Sequence, residues 1–402
     1  MKAIYLDNNA TTRLDPVVLD TMMPFLTEHY GNPSSIHGFG DPVRKAIEQA
    51  RNQVAALLGA EHATEIVFTS CATEANSTVL LSAVEALPDR RTLITSAVEH
   101  PAVLEVCEHL ERQGYTIHRL GVDGCGRLDL AAYEALLSDD VALVSVMWAN
   151  NETGTLFPVE QMAQMAKARG ILFHTDGVQA VGKLPINMAQ SAIDFLSFSG
   201  HKLHGPKGVG ALYVRRGTRF RPLLRGGHQE RGRRAGTENA AGIVGLGMAC
   251  ELAELHMPML TGPIQALRDQ LQAGLLAKIP CARVTGDPEH RTPNTLNIAF
   301  DYVEGEAILL MLNQLGIAAS SGSACTSGSL EPSHVMRAMG IPYTAAHGSV
   351  RFSLSRYTRE REIEQVLTHL PMIIERLRAL SPYWQQNKPA LAQHGEFAPA
   401  YG

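Results

Sequence analysis

Two short stretches decide how this sequence folds: GILFHTDGVQ at residues 170–179 and FLSFSGHK at residues 195–202. Each begins with an apolar run that is typical of a buried strand and ends in polar residues. Asp176 follows the first run, and Lys202 follows the second. Because ligands bind beyond the carboxyl ends of the strands in a parallel sheet, we expect this acid and this amine to serve one site.

A third stretch offers a seat for a phosphate. Residues 65–69 are typical of a buried strand, and SCATE at residues 70–74 then opens a helical pattern that runs to Leu87. The N–H groups and the dipole at a helix N-terminus favour a dianionic phosphate, and the Thr73 hydroxyl adds a donor.

A lysine, an acid and a phosphate seat are together what pyridoxal phosphate (PLP) requires. The lysine amine forms a Schiff base with the cofactor, and the acid keeps the pyridine nitrogen protonated so that the ring accepts electrons. Each residue also has a simpler explanation. Lys202 could lie on the surface, Asp176 could cap a helix, and Ser70 and Thr73 could do the same. Spacing alone leaves both interpretations open.

Strand-like and helical patterns alternate between residues 65 and 215. The strand-like runs are 66–69, 92–96, 116–120, 142–148, 171–174, 195–199 and 210–214, and helical patterns at 102–113, 131–137 and 159–169 separate several of them. This alternation predicts an α/β fold with a mainly parallel seven-stranded sheet and helices on both faces.

The alternation changes after about residue 255, which predicts a second, smaller α+β domain. We expect residues 16–255 to form the large domain. Residues 1–15 and 256–402 would form the small domain, which carries a cysteine loop and the C-terminal tail.

Composition excludes several classes of protein. The chain has 402 residues, 45% of them hydrophobic and 19% charged, with a net charge of −5. These values are ordinary for a globular protein in water, and no apolar run approaches the ~18 residues that span a membrane. Six cysteines without a CxxC pair argue against a zinc site or a disulfide framework. We expect a cytoplasmic protein with no permanent metal and no membrane association.

An arginine-rich stretch, residues 215–234, contains eight arginines and one glutamate. Nucleic-acid binding is one interpretation of such a run, and a solvated surface is another. Because the whole chain is acidic and Phe220 is the only aromatic residue in the stretch, we expect no nucleic-acid partner.

Seven motifs together resemble those of the cysteine desulfurases, which are PLP enzymes of the aminotransferase-like fold (fold type I). The motifs are YLDNNATT (5–12), GNPSS (31–35), CATE (71–74), VEH (98–100), NNETG (150–154), SGHK (199–202) and SSGSACTS (320–327). The resemblance covers nearly the whole chain. It is strongest to the branch dedicated to nitrogen fixation, through MWANN (147–151), RGGHQERGRR (225–234) and the tail FAPAYG (397–402).

The resemblance implies a role for each site residue. Lys202 and Cys325 would be catalytic, and His100 would stack on the cofactor ring and assist proton transfer. Arg351 would clamp the substrate carboxylate, with Asn32 as a weaker candidate. The implied cofactor contacts are Asp176 on the pyridine nitrogen, Gln179 and Asn151 on the ring oxygen, and Ala72, Thr73, Ser199, His201 and a second subunit's Thr237 on the phosphate. Without the resemblance, His100 would be taken for a half-buried histidine with satisfied hydrogen bonds.

Cys325 has an argument of its own. Residues 320–329 contain five serines and two glycines, a composition that suits a mobile loop. A thiolate on such a loop could reach the cofactor, take a sulfur atom and deliver it elsewhere. The alternative is an inert buried cysteine, but its serine and glycine neighbours make burial in an apolar core unfavourable.

The implied reaction converts L-cysteine to L-alanine and leaves a persulfide on Cys325. A homodimer is implied, with residues 215–234 at its interface, and an iron–sulfur scaffold protein would accept the sulfur. Cys325 could then serve as a transient cluster ligand shared with that scaffold. A housekeeping desulfurase, a selenocysteine lyase, an aminotransferase and a non-enzymatic scaffold remain alternatives.

Overall fold

A computed structural model describes residues 3–321, 332–382, 384–385 and 388–389. Its strands, in chain order, are β1 (Ile4–Tyr5), β2 (Ile66–Thr69), β3 (Thr92–Ser96), β4 (Thr116–Leu120), β5 (Val141–Ser145), β6 (Leu172–Asp176), β7 (Phe195–Ser199), β8 (Gly210–Val214), β9 (Ala282–Val284), β10 (Thr295–Phe300), β11 (Ile317–Ala318), β12 (Ser320–Ser321), β13 (Ser349–Ser353), β14 (Trp384–Gln385) and β15 (Lys388–Pro389). Its α-helices are α1 (Pro16–Met22), α2 (Pro24–Thr27), α3 (Gly40–Leu58), α4 (Ala72–Ala86), α5 (Pro101–Arg112), α6 (Leu130–Leu136), α7 (Val159–Ala168), α8 (Ala240–Met259), α9 (Gln265–Lys278), α10 (Gly305–Gln314), α11 (His334–Ala338), α12 (Tyr343–His347) and α13 (Glu360–Leu380).

The central sheet has seven strands in the order β2-β8-β7-β6-β5-β3-β4. The strands from β7 to β4 pair in parallel, and β8 runs antiparallel to both of its neighbours. The prediction of an α/β fold around a mainly parallel seven-stranded sheet is therefore confirmed.

Two strands of this sheet end elsewhere than predicted. β5 is shorter than the run predicted at 142–148, and beyond its end the N–H of Met147 donates to the carboxylate of Glu99 at 3.0 Å. β6 is longer than the run predicted at 171–174 and ends at Asp176, which is still paired with β7. Asp176 is thus the last residue of its strand and not the first residue beyond it.

Helices cover both faces of the sheet because alternate strand residues point to opposite sides. Val67 belongs to an apolar cluster with α4 and α5, whereas the adjacent Phe68 belongs to a larger cluster with α3, α7 and α8. Gly247 permits a close approach of α8 to α3, since a Cβ there would lie 2.5 Å from the Cα of Ala50.

A second sheet of four strands lies in the C-terminal part of the chain. Its order is β12-β13-β10-β9, with antiparallel pairing throughout. Its apolar residues cluster with α9, α10 and α13, and Ile4 and Leu6 from the N-terminus join the same cluster. This clustering agrees with a small domain built from both ends of the chain. The proposed boundary at residue 255 falls inside α8, and the division stays a prediction.

By length and composition alone, the helical segment Ala240–Lys278 could cross a membrane, and an 18-residue window within it has a mean hydropathy of 1.3. Core helices of proteins in water pass the same criterion, so the observation alone is weak evidence. In this segment Ile243, Leu246 and Cys250 lie in the large apolar cluster beneath the sheet. We therefore attribute the apolarity of α8 to its packing in the core.

A buried ion pair anchors the arginine-rich stretch. Glu230 accepts hydrogen bonds from both terminal nitrogens of Arg51 at 2.7 and 2.8 Å, and the N–H of Phe68 donates to the same carboxylate at 3.0 Å. Both charged side chains are almost fully buried. Glu230 and Arg231 adopt positive φ angles of 47° and 58°, so this anchor holds an unfavourable backbone conformation.

We predict that Glu230→Gln lowers the free energy of unfolding by about 3 kcal/mol, because it leaves the buried Arg51 guanidinium with only the half-exposed Glu48 carboxylate, 3.6 Å away, as a counter-charge. Urea titration followed by circular dichroism measures the loss. The matched control is Glu111→Gln, which breaks the half-exposed pair of Glu111 with Arg119 and should change stability by at most about 1 kcal/mol. Equal losses in the two variants would contradict the anchoring role.

Candidate active site

An open cleft of about 980 Å³ lies at the carboxyl ends of the sheet strands, where the polar segments after β2, β6 and β7 converge. Most of the site residues predicted from the sequence line it: Ala72, Thr73, His100, Asn151, Asp176, Gln179, Ser199, His201, Lys202 and Arg351. Thr237 and Asn32 are exposed and do not line this cleft in the single chain. Cys325 lies outside the described residues.

Asp176 is buried in the cleft and held by two donors. Its Oδ2 accepts a hydrogen bond from Asn76 Nδ2 at 2.7 Å, and its Oδ1 accepts one from the N–H of Val178 at 3.0 Å. Both oxygens accept from N–H donors, and this fixes the orientation of the carboxyl group that would face a protonated ring nitrogen. Sequence reasoning missed Asn76, although it lies one helical turn after Ala72 and so faces the same side of α4.

His174 lies on β6, two residues before Asp176. Its Nδ1 and Nε2 lie 2.8 and 2.9 Å from the hydroxyls of Ser145 and Ser197. Burial lowers the pKa of His174 to about 3, so this imidazole is neutral. It links β5, β6 and β7 beside Asp176 without adding charge.

Lys202 closes the short 3₁₀ turn that follows β7. Its Nζ donates to the backbone carbonyls of Asn9 and Ala10 at 2.6 and 2.7 Å. These carbonyls belong to the N-terminal segment, which enters the cleft after β1. Asn9 belongs to the motif YLDNNATT at residues 5–12, and the sequence alone predicts no role in the site for it.

The phosphate seat forms where α4 begins. The N–H of Ala72 donates to Ser199 Oγ at 2.7 Å, and the other first-turn N–H groups have no acceptor within the helix. Cys71 occupies the N-cap position, and its side chain makes no capping hydrogen bond to the first turn of the helix. Ser70 and Thr73 are therefore not the N-cap of α4, which was the simpler explanation of these residues. A cluster of N–H and O–H donors here suits an anion.

His201 borders the same end of the cleft. Its Nδ1 lies 3.1 Å from Thr11 Oγ1. Burial lowers the pKa of His201 to about 4, and the positive charges of Lys202 and Lys207 add to the effect. A dianion bound nearby would act in the opposite direction and favour the charged imidazole.

His100 combines both interpretations offered for it. Its Nδ1 accepts a hydrogen bond from the N–H of Ala102 at 3.1 Å and so caps α5, while the ring also lines the cleft. Burial lowers the pKa of His100; Asp176 opposes this shift, and Lys202 and His334 add to it. A neutral ring that accepts at Nδ1 carries its proton on Nε2, where it can be exchanged with a ligand.

Glu99 lies buried next to His100 and was not predicted as a site residue. Its carboxylate accepts hydrogen bonds from Ser96 Oγ at 2.6 Å and from the N–H of Met147 at 3.0 Å. Burial raises the pKa of Glu99 to about 8, and the charge of Asp176 contributes further. The uncharged acid is therefore favoured at neutral pH, which keeps a second negative charge away from Asp176.

Arg351 lies on β13 and is almost fully buried. Its Nη1 donates to the carbonyl of Asn151 at 3.0 Å, and its Nη2 donates to Asp7 Oδ1 at 2.8 Å. Its Nε is buried without a hydrogen-bond partner among the described residues. A guanidinium with a donor to spare at the edge of a cleft can bind a carboxylate.

The residues of the cleft fit PLP. An amine stands ready for the aldehyde, a fixed carboxylate suits a pyridinium nitrogen, and a helix N-terminus with hydroxyl donors suits the phosphate. Once bound, PLP supplies a ring that withdraws electrons from the substrate carbon. Within the described part of the chain, no group of three or more His, Cys, Asp or Glu side chains is placed to hold a metal ion.

Comparison with known proteins agrees with this geometry. The family model for class-V aminotransferases matches residues 4–366. The chain is 68% identical to a cysteine desulfurase of Enterobacter agglomerans and 65% identical to the cysteine desulfurase NifS of Azotobacter vinelandii, over 100% of each chain. It superposes on a solved NifS-like protein with a TM-score of 0.87 and 39% identity, covering 93% of this chain and 100% of that one.

We predict that borohydride reduction of the PLP-loaded protein fixes the cofactor on Lys202. In Lys202→Ala the attachment should be lost while the circular dichroism spectrum stays unchanged, because the side chain adds little to the core. Peptide mass spectrometry locates the modified lysine. Lys207→Ala is the matched control, since this neighbouring lysine is exposed and should not affect attachment. Cofactor found on another lysine in the wild-type protein would overturn the assignment.

Proposed function

The chain belongs to the class-V aminotransferase family, and we propose that it is a cysteine desulfurase that uses PLP to take sulfur from L-cysteine. It releases L-alanine and leaves a persulfide on Cys325. The names of relatives that are 68% and 65% identical over the full length support this activity, and the cleft described above supplies the chemical groups that it needs.

The observation that carries the proposal is where the two ends of the cysteine segment lie. Before the segment, Ser320 on β12 pairs with Arg351 on β13, a residue that lines the cleft. After it, His334 Nε2 contacts the carbonyl of Glu99 at 2.8 Å, next to His100. The described residues on either side of 322–331 therefore lie close to the cleft, and Cys325 belongs to that interval by sequence. An enzyme that only transfers amino groups has no use for a cysteine there.

The residues of the chain divide the work as follows. Arg351 binds the carboxylate of L-cysteine through its guanidinium, and Asn32 is proposed as a second contact. With PLP bound, Lys202 would take the Cα proton of the substrate and return it, and His100 would assist. Asp176 would pair with the ring nitrogen. Asn151 and Gln179 would bind the ring oxygen, and the phosphate would be held by Ala72, Thr73, Ser199, His201 and a second subunit's Thr237.

The sulfur step balances as a thiolate attack. The Cys325 thiolate forms a bond to the substrate sulfur while the bond between Cβ and sulfur breaks. The electron pair of the broken bond stays with the substrate, whose Cβ then takes up a proton and becomes the methyl group of alanine. No external oxidant is required, because the electron pair that the sulfur gives up on forming the persulfide stays on Cβ and reduces it to the methyl group of alanine.

A homodimer is the proposed assembly. Thr237 is exposed and away from the cleft of its own chain, so it can serve a phosphate only from a second chain. A cluster of apolar side chains lies exposed nearby in sequence to Asn32: Ile36 is 104% exposed, Tyr30 72% and Phe39 60%. Exposed apolar patches of this kind mark protein interfaces, and two-fold pairing would cover them.

The proposed sulfur acceptor is an iron–sulfur scaffold protein, and the proposed setting is cytoplasmic assembly of clusters for nitrogenase. The name NifS carried by a 65% identical relative supports that role over a housekeeping one. Cys325 would be a transient cluster ligand shared with the scaffold, and the tail after Leu380 is a candidate docking segment.

We predict that Cys325→Ala still binds PLP and L-cysteine but fails to release alanine, because nothing remains to take the sulfur. The loss should exceed a hundredfold in kcat, since the variant lacks the nucleophile itself. Amino-acid analysis quantifies alanine. The matched control is Cys281→Ala, which removes an exposed cysteine and should turn over normally. Wild-type turnover by Cys325→Ala would sink the proposal, and a selenocysteine lyase or an aminotransferase would then become the better explanation.

We predict that the protein sediments as a homodimer and that Thr237→Ala weakens PLP binding about tenfold, the effect of losing one hydrogen bond to a charged group. Sedimentation velocity and a PLP titration of the apoprotein measure these two quantities. Thr261→Ala, which changes another exposed threonine, is the control. A catalytically competent monomer would refute the contribution of Thr237 across the interface.

A further inference from the structure

A second lysine lies buried beside the cleft. Lys183 is 6% exposed, does not line the cleft, and is placed behind Gln179. It borders a smaller cavity on the other side, which it shares with Lys202. A buried ammonium is costly unless it is fully hydrogen-bonded, so its partners indicate what it is for.

The partners of Lys183 are two side-chain amides that belong to the cleft. Its Nζ donates to Gln179 Oε1 at 2.5 Å and to Asn9 Oδ1 at 3.2 Å. Gln179 and Lys183 are four residues apart in a helical turn, where backbone hydrogen bonds run from Val181 to Gly177 and from Leu184 to Ala180. This spacing puts both side chains on one side of the turn.

An ammonium has three donors and no acceptor. It can therefore contact only the oxygen of each amide, never the NH₂ group. With Oε1 of Gln179 engaged by Lys183, Nε2 must face the other way, and it donates there to the carbonyl of Asn9 at 3.0 Å. The same carbonyl accepts a hydrogen bond from Lys202, so the NH₂ group of Gln179 lies close to the reactive lysine.

We propose that Lys183 is a positioning residue that fixes the amide of Gln179 with its NH₂ group toward the cofactor, so that Gln179 donates to the cofactor ring oxygen. This inference rests on the proposed function, because it assumes that PLP occupies the cleft. A donor at that position favours the ionised ring oxygen, whereas a flipped amide would present an acceptor and disfavour it. Burial lowers the pKa of Lys183 to about 7, and Lys202 and Arg351 add to the shift. The two amide oxygens that accept from Nζ favour the ammonium form.

The test compares PLP binding by four apoproteins: the wild type, Lys183→Met, Gln179→Ala and the double variant. Lys183→Met should weaken PLP binding about tenfold, the effect of one misoriented hydrogen bond. The double variant should bind no more than about twofold more weakly than Gln179→Ala, because Lys183 acts through Gln179. Lys167→Met, which changes an exposed lysine on α7, should bind as the wild type does.

Two further readouts separate positioning from a structural role. The pH at which the visible absorption spectrum of bound PLP changes should be higher in Lys183→Met than in the wild type. The reason is that the ionised ring oxygen has lost its hydrogen-bond donor. The thermal midpoint of the apoprotein should stay within about 3 °C of the wild type. If Lys183→Met does not fold, Gln179→Glu tests the inference instead. This variant keeps an acceptor for Lys183 but removes the NH₂ donor of Gln179, so it should also weaken PLP binding.

Three results would overturn the inference: unchanged PLP binding by Lys183→Met, fully multiplicative losses in the double variant, or unchanged binding by Gln179→Glu. A wild-type protein that does not bind PLP would instead refute the proposed function, so the two failures can be told apart.

Discussion

The cleft concentrates positive charge, and much of the site depends on that excess. Lys202 and Arg351 line the cleft and Lys183 lies beside it, with the carboxylates of Asp176 and Asp7 as neighbours. Burial and mutual repulsion lower the pKa of Lys183, His100 and His201, and Glu99 is favoured as the uncharged acid. A phosphate at the start of α4 and a carboxylate beside Arg351 would supply the missing negative charge.

The fold delivers these groups from distant parts of the chain. Asn9 is the clearest case. Its side chain donates a hydrogen bond to Thr295 and accepts one from Lys183. Its backbone carbonyl accepts hydrogen bonds from Gln179 and Lys202. One N-terminal residue thus connects the central sheet with the second sheet. Asn9 belongs to a motif that resembles that of the family, and these contacts are a physical reason for an asparagine at this position.

Much of this could be predicted from the sequence, and the failures have physical causes. The strands were predictable because buried parallel strands are short apolar runs, and Asp176 and Lys202 were predictable because each ends such a run. Helical spacing places Asn76 on the face of Ala72 and Lys183 beside Gln179, but their contacts with Asp176 and Asn9 are tertiary and leave no pattern in the sequence. Thr237 and Asn32 do not line the cleft of the single chain, and their roles stay predictions. The roles of Cys325 and the tail rest on sequence, since both lie outside the described residues.

The most direct test of the account is to give the wild-type protein L-cysteine without a reductant and to measure alanine together with the masses of all cysteine-containing peptides. We predict one alanine released per chain and one additional sulfur atom on the peptide that carries Cys325. Additional sulfur on another cysteine, such as the exposed Cys281, or alanine formed without any sulfur retained on the protein, would contradict it.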